Sequence, residues 1–126
     1  MAGARILVVE DNEKNMKLFR DVLRAAGYST LEATTGRRGV EVAIEHEPDL
    51  VMMDVQLPDI DGVEALGRLR ADERTASIPV LALTAQAMEG DRERFRASGF
   101  DGYISKPVNI VSLISTVKQH CDGRGR

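Results

Sequence analysis

The sequence has no tryptophan, three phenylalanines, two tyrosines and a single cysteine, Cys121. One thiol rules out an intrachain disulfide and suits a reducing compartment. So few aromatic rings leave little with which to stack a flavin. Cationic excess is also missing: 17 Lys and Arg against 20 Asp and Glu give a formal charge of −3, so a fold-wide basic footprint for nucleic acid is absent. No apolar run approaches the roughly 20 residues that span a bilayer. The short run Ile6–Val9 meets Glu10 and Asp11 at once, which excludes a signal peptide. A cytoplasmic protein with no membrane segment is expected.

What is present suits one domain. The chain has 126 residues, 43% hydrophobic and 29% charged, enough for one core without covalent staples. Four apolar runs, Ile6–Val9, Leu50–Met53, Val80–Leu83 and the weaker Tyr103–Ile104, are continuous rather than alternating. That pattern predicts parallel strands buried on both faces. A more polar fifth, Tyr28 to Glu32, reads as an edge strand. Helical stripes lie between them: Phe19, Val22, Leu23 and Ala26, stopped by Gly27; Val40, Ala43 and Ile44, ended before Pro48; Val63, Leu66 and Leu69, opened by an Asp61–Glu64 capping-box variant; a polar segment over about 88 to 97; and Ile110, Leu113, Ile114, Val117 and Cys121, capped by Asn109. The order is (βα)₅. Right-handed crossovers then predict an α/β fold, a doubly wound five-stranded parallel sheet with helices on both faces. The predicted domain covers 1–121, with a frayed tail at 122–126.

Each apolar strand ends in a reactive group: Glu10 and Asp11 after the first, Asp54 after the third, Thr84 after the fourth, and Ser105, Lys106 and Pro107 after the fifth. In a parallel sheet these ends share one edge, where ligands bind as strand order reverses. Three carboxylates converging there repel one another. A hard divalent cation such as Mg²⁺ resolves this, since carboxylate oxygens favour it over softer metals. Lys106 adds a cation suited to a phosphoryl oxygen, and Thr84 a hydroxyl donor. Asp54 in that company fits the nucleophile that forms an aspartyl phosphate. Taken singly, each residue has a plainer reading: a helix cap for Glu10 and Asp11, a solvated Lys106, a satisfied hydroxyl on Thr84. Their coincidence at one end of four core strands favours function.

The stretches LVVEDN (7–12), LVMMDVQLPDIDG (50–62), PVLALTA (79–85) and GFDGYISKP (99–107) together resemble the receiver domain of two-component response regulators, the CheY-like superfamily. The resemblance covers nearly the whole chain and looks like a single-domain member without an output domain. It implies the flavodoxin-like strand order 2-1-3-4-5. It implies that Asp54 is phosphorylated by a sensor histidine kinase or histidine phosphotransfer protein. Asp11, Asp54 and the Gln56 main-chain carbonyl would ligate Mg²⁺, with Glu10 acting through a coordinated water. Lys106 would contact the phosphoryl group ahead of a cis bond to Pro107, Thr84 would move to the phosphoryl oxygen, and Tyr103 would turn inward behind it. Gln56 and Gln86 would set phosphoryl lifetime through water access. Where this chain has Glu10-Asp11 the family commonly has Asp-Asp.

Such a protein is a switch rather than a turnover enzyme. Its output would pass by protein contact to a downstream target, through the segment near 88–97, the fifth strand and the last helix, with Met88, Arg92, Arg96 and Tyr103 as candidates. It would do so without binding nucleic acid, as a monomer or as the phosphorylation-linked dimer that the family allows. The polar text EGDRER between Met88 and Phe95 suits a movable part, or simply a solvated helix.

Rival readings fare worse. A nicotinamide-binding Rossmann domain needs a Gly-rich turn after the first strand, and this chain has Glu10-Asp11-Asn12-Glu13 there. A flavodoxin-like binder fails on the same point. A haloacid-dehalogenase-type phosphohydrolase wants a second Asp two residues after the nucleophile; that position is Gln56, and turnover of a phosphomonoester would revive it. A phosphate-independent adaptor is excluded only by a labelling assay. His46 and His120 lack metal-ligand company, and Cys121 on the apolar stripe reads as an inert buried thiol.

Overall fold

The computed structural model describes residues 4–85 and 96–122. Its strands are β1 (Arg5–Val9), β2 (Ser29–Ala33), β3 (Leu50–Asp54), β4 (Val80–Thr84) and β5 (Gly102–Ser105). Its helices are α1 (Glu13–Ala25), α2 (Gly36–His46), α3 (Gly62–Ala71) and α4 (Ile110–Asp122). All strand pairs are parallel, in the order β2-β1-β3-β4-β5. The expected doubly wound sheet is therefore observed. Most of the helix expected over 88–97 lies outside the described residues; Arg96–Ser98 are helical and lead to Gly99, whose φ is +107°.

The continuous apolar runs divide by the period of a strand. Leu7, Val9, Val51, Met53, Val80 and Ala82 face α2 and α3, against Val40, Ala43, Leu66 and Leu69. Ile6, Val8, Leu50, Met52, Leu81 and Leu83 face α1 and α4, against Phe19, Leu23, Leu113 and Val117. Burying both faces is why β3 and β4 contain no exposed residue. The polar strand β2 lies at the sheet edge as expected, one residue later than its sequence pattern suggested, with Tyr28 buried just before it.

Helix starts are set by side chains that accept from the N–H three residues on. Asn12 caps α1 through Asn15 N (3.0 Å), Thr35 caps α2 through Arg38 N (3.1 Å), Asp61 caps α3 through Glu64 N (2.8 Å) and Asn109 caps α4 through Ser112 N (3.0 Å). Glu64 turns to Arg68 (2.7 Å) instead of completing the box. Gly27, at φ +98°, closes α1: its N–H meets Arg24 O and that of Tyr28 meets Leu23 O, both at 3.0 Å, a Schellman motif.

Three stripe residues expected inside are not. Val63 is 45% and Ile110 52% exposed, and Ala26 is exposed at the end of α1. Val63 and Ile110 occupy the first turns of α3 and α4, next to the cap residues Asp61 and Asn109. Ala26 is already the cap residue.

Candidate functional site

The order of the sheet reverses at β1: the chain steps outward to β2, then returns to β3 on the other side. Helices leaving β1 and β3 diverge, which opens a crevice at the C-terminal ends of these strands. Glu10 and Asp11 follow β1 and Asp54 closes β3. Carboxylate oxygens of Glu10, Asp11 and Asp54 lie within 4.8 Å of one another. Glu10 is 1% and Asp54 5% exposed, whereas Asp11 faces solvent.

Lys106 enters this cluster from the end of β5. Its Nζ lies 2.7 Å from Glu10 Oε1 and 2.8 Å from Asp54 Oδ2. Backbone donors hold the other oxygens: Gln56 N–H donates to Asp54 Oδ1 at 2.8 Å, and Asn12 N–H to Glu10 Oε2 at 3.2 Å. Burial pushes the Glu10 carboxyl above its ordinary range, and the neighbouring Asp54 adds to this against the opposing pull of Lys106. For Lys106, burial disfavours the ammonium, but Asp54 and Glu10 outweigh it and hold its pKa above the ordinary lysine value.

Thr84, 2% exposed, stands at the end of β4 between these elements, and its carbonyl accepts from Lys106 N–H at 2.8 Å. Tyr103 on β5 is half-buried and packs against the α2–α3 side of the core. The Lys106–Pro107 peptide is cis. Gln56 is exposed in the loop after β3, and Arg96 is exposed. Gln86, Met88 and Arg92 lie outside the described residues. His46 is exposed with Glu45 at 3.7 Å. His120 sets Nδ1 2.9 Å from Thr116 O and Nε2 3.3 Å from Asp101 O. Cys121 is partly buried beside the α1–α4 side of the core.

Two contributors escaped sequence reasoning. Asn12, rather than Glu10 or Asp11, caps α1 and leaves both acids to the crevice. Gly62 lets α3 begin against the end of β3: a Cβ there would lie 2.8 Å from Asp54 O and from Val55 Cα. The Asp-Gly pair at 61–62 was the visible signal for it.

The donor set is all oxygen, and three carboxylates against one ammonium leave the crevice net negative. Glu10 Oε1 is buried, and its close neighbour is the Lys106 ammonium at 2.7 Å. These features fit a hard divalent cation. Access is open on the α1 side, where a groove of about 520 Å³ runs past Glu10 and Asp11 between Lys14, Lys17 and Glu32. Among the described residues, no helix is long and apolar enough to cross a membrane.

Comparison with known proteins agrees with this arrangement. The family model for the response regulator receiver domain matches residues 6–118. The polar-differentiation response regulator DivK of Brucella ovis is 48% identical over 115 residues, covering 91% of this chain and 94% of that protein. Among solved structures, the receiver domain of sensor histidine kinase PA1611 from Pseudomonas aeruginosa, described with a magnesium ion coordinated in the active site cleft, superposes with a TM-score of 0.88 at 35% identity, over 96% of this chain and 99% of that one. The Ssk1 receiver domain of Saccharomyces cerevisiae, solved with the histidine phosphotransfer protein Ypd1, gives 0.90 at 27% identity, over 99% and 93%. With this match spanning the strands, the crevice and the final helix, the chain belongs to the response-regulator receiver domain family of two-component signalling.

Proposed function

We propose that the chain is a Mg²⁺-dependent phosphoacceptor switch whose residues 1–121 act as a cytoplasmic receiver. It takes a phosphoryl group on Asp54 from a sensor histidine kinase or histidine phosphotransfer protein. The observation that carries this reading is the ammonium of Lys106 seated between Glu10 and Asp54 beside Asp11. A carboxylate oxygen of Asp54 attacks phosphorus, an O–P bond forms, and the N–P bond to the donor imidazole breaks. The imidazole leaves with its electron pair and takes a proton from solvent. Lys106 and the Thr84 hydroxyl donate to the phosphoryl oxygens, so geometry and charge supply most of the rate.

Asp11, Asp54 and the Gln56 main-chain carbonyl would hold the Mg²⁺, with Glu10 acting through a water. The ion would supply neutralisation of charge developing on the phosphoryl oxygens. Gln56 and Gln86 govern water access and thus the lifetime of the acyl phosphate. Thr84 and Tyr103 report the phosphoryl group to the surface around Met88, Arg92, Arg96, β5 and α4, where a downstream protein binds. Phosphorylation can shift the balance of states only through contacts made in one of them.

The test is incubation with Mg²⁺ and radiolabelled acetyl phosphate. The wild type should acquire acid-stable, base-labile label, lost with EDTA and absent from Asp54→Ala. Full labelling of that variant would refute the assignment. Steady turnover of a phosphomonoester would favour the phosphohydrolase reading instead.

A further inference from the structure

We propose that Asp59 is a positioning residue for the divalent cation: it pins the loop after β3 to the N-terminus of α2 and so holds the Gln56 main-chain carbonyl at the crevice. This rests on the metal reading given above and adds a residue to it.

The loop is tied at both ends and at its middle. At its ends, Gly62 N–H donates to Val55 O at 3.1 Å, and the absent Cβ of Gly62 lets the two strands of the loop touch. At its middle, Asp59 reaches α2. Its Oδ1 accepts from Gly36 N–H at 2.8 Å and its Oδ2 from Arg37 N–H at 3.0 Å, with Arg37 Nε at 3.7 Å. Next to it Ile60 is 6% exposed and presses on Gly36, where a Cβ would lie 2.5 Å from Ile60 Cγ1.

Asp59 is not the ordinary cap of α2, because Thr35 already fills that position and takes Arg38 N–H. Its two bonds satisfy the remaining first-turn donors from a different part of the chain. They therefore act as a tertiary tie. Gln56 lies between the tied points, and its N–H already fixes Asp54 Oδ1. The plane of the following carbonyl is set by how the rest of the loop is held. Backbone donors on both oxygens hold the Asp59 carboxyl down to about 2 despite some burial, so both oxygens stay available as acceptors in ordinary buffers.

The test compares wild type, Asp59→Ala, Asp59→Asn and Thr35→Ala in full-length protein, each checked for folding by circular dichroism. Mg²⁺ affinity is read by calorimetric titration and by the Mg²⁺ dependence of labelling with acetyl phosphate. Loss of a group that orients a ligand costs about tenfold or more in metal affinity. Asp59→Ala should weaken Mg²⁺ by about that factor, while the labelling rate at saturating Mg²⁺ stays close to wild type. Asp59→Asn keeps one acceptor oxygen and should fall between the two. Thr35→Ala removes the helix's own cap, so it should lower stability and leave Mg²⁺ affinity unchanged. Equal Mg²⁺ affinity in wild type and Asp59→Ala would overturn the proposal. So would an equal loss in Thr35→Ala, which would mark the effect as general destabilisation. A wild type that binds no Mg²⁺ would instead remove the metal reading itself.

Discussion

Lys106 Nζ lies 2.8 Å from Asp54 Oδ2, although 52 residues separate them in sequence. The two residues end strands that are not neighbours: β4 stands between β3 and β5. Two strand spacings, about 10 Å, are thus bridged by the Lys106 and Asp54 side chains together, with Thr84, whose carbonyl accepts from Lys106 N–H, at the end of the strand between them. Lysine combines a long flexible stem with a compact terminal charge, which suits it to that bridge. The cation of the crevice is therefore held on a flexible arm between Glu10 and Asp54.

Replacing Lys106 with Ala should separate two properties. The acidic crevice loses its internal cation, so Mg²⁺ should bind more tightly than in wild type. Phosphoryl transfer loses a preorganised donor, which typically costs about 100-fold or more in rate. Calorimetric titration and the rate of labelling by acetyl phosphate measure the pair. Unchanged labelling would remove Lys106 from the mechanism.

Glycines of α2 and α3 should respond to alanine with opposite signs. A Cβ on Gly39 would meet Val9 Cγ2 at 2.7 Å and Cγ1 at 3.0 Å. Gly39→Ala must push β1 and α2 apart and should destabilise by about 1–3 kcal/mol. Nothing lies within 4 Å of a Cβ on Gly67, which is exposed in mid-helix. Gly67→Ala should stabilise by about 0.5–1 kcal/mol. Guanidinium denaturation midpoints decide both; a stabilising Gly39→Ala would contradict the packing described for α2.

Two surface carboxylates, Asp59 and the partly buried Asp72, should mark the acid limb of stability. Backbone donors, against some burial, lower Asp59 from 3.8 to about 2, and the Arg74 guanidinium lowers Asp72 by the same amount. A depressed carboxyl binds fewer protons folded than unfolded. Its contribution is present above pH 3.8 and fades as pH falls through about 2. Asp59→Asn and Asp72→Asn should therefore have lower denaturation midpoints than wild type at neutral pH. The differences should close across that acid window and shrink in high salt. A gap that persists at the acid end would show that the charge is not its source.

Arg70 should prove irreplaceable by lysine. Its Nη1 donates to Ala76 O (3.1 Å) and Ile78 O (2.6 Å), and its Nη2 to Gly99 O (3.0 Å) and Asp101 Oδ2 (2.8 Å). One fork thus joins the turn before β4 to the turn before β5, and Asp101 Oδ2 also takes Val80 N–H at 2.8 Å. Arg70→Ala should cost about 1–3 kcal/mol by removing these bonds. A lysine, which carries no planar fork, should recover only part. Denaturation curves in which Arg70→Lys matches wild type would show that the fork geometry does not matter.

Much of this protein was legible in its residues. The runs Leu50–Met53 and Val80–Leu83 read as strands buried on both sides because continuous apolar text has no exposed face, and both are buried throughout. Asp11, Asp54, Thr84 and Lys106 could be grouped from sequence because parallel strands all finish at one edge, whatever their order. Cap residues such as Asp61 and Asn109 were visible because a cap acts over three residues, within reach of local reading.

Other features depend on neighbours that the chain brings in from afar. Glu10 and Asp11 look alike in sequence, yet Glu10 is enclosed, with Lys106 on one oxygen and Asn12 N–H on the other, and Asp11 is open. Val63 and Ile110 continue apolar stripes in sequence yet stand exposed. Asp59 reads locally as a loop former; its partners Gly36 and Arg37 belong to another helix. Local periodicity and side-chain chemistry thus determined which elements form and which end of the sheet is reactive. Which carboxylate is buried, which loop is tied and how far Lys106 must reach were decided by tertiary packing, because burial and distance are properties of the assembled layers and not of any one segment.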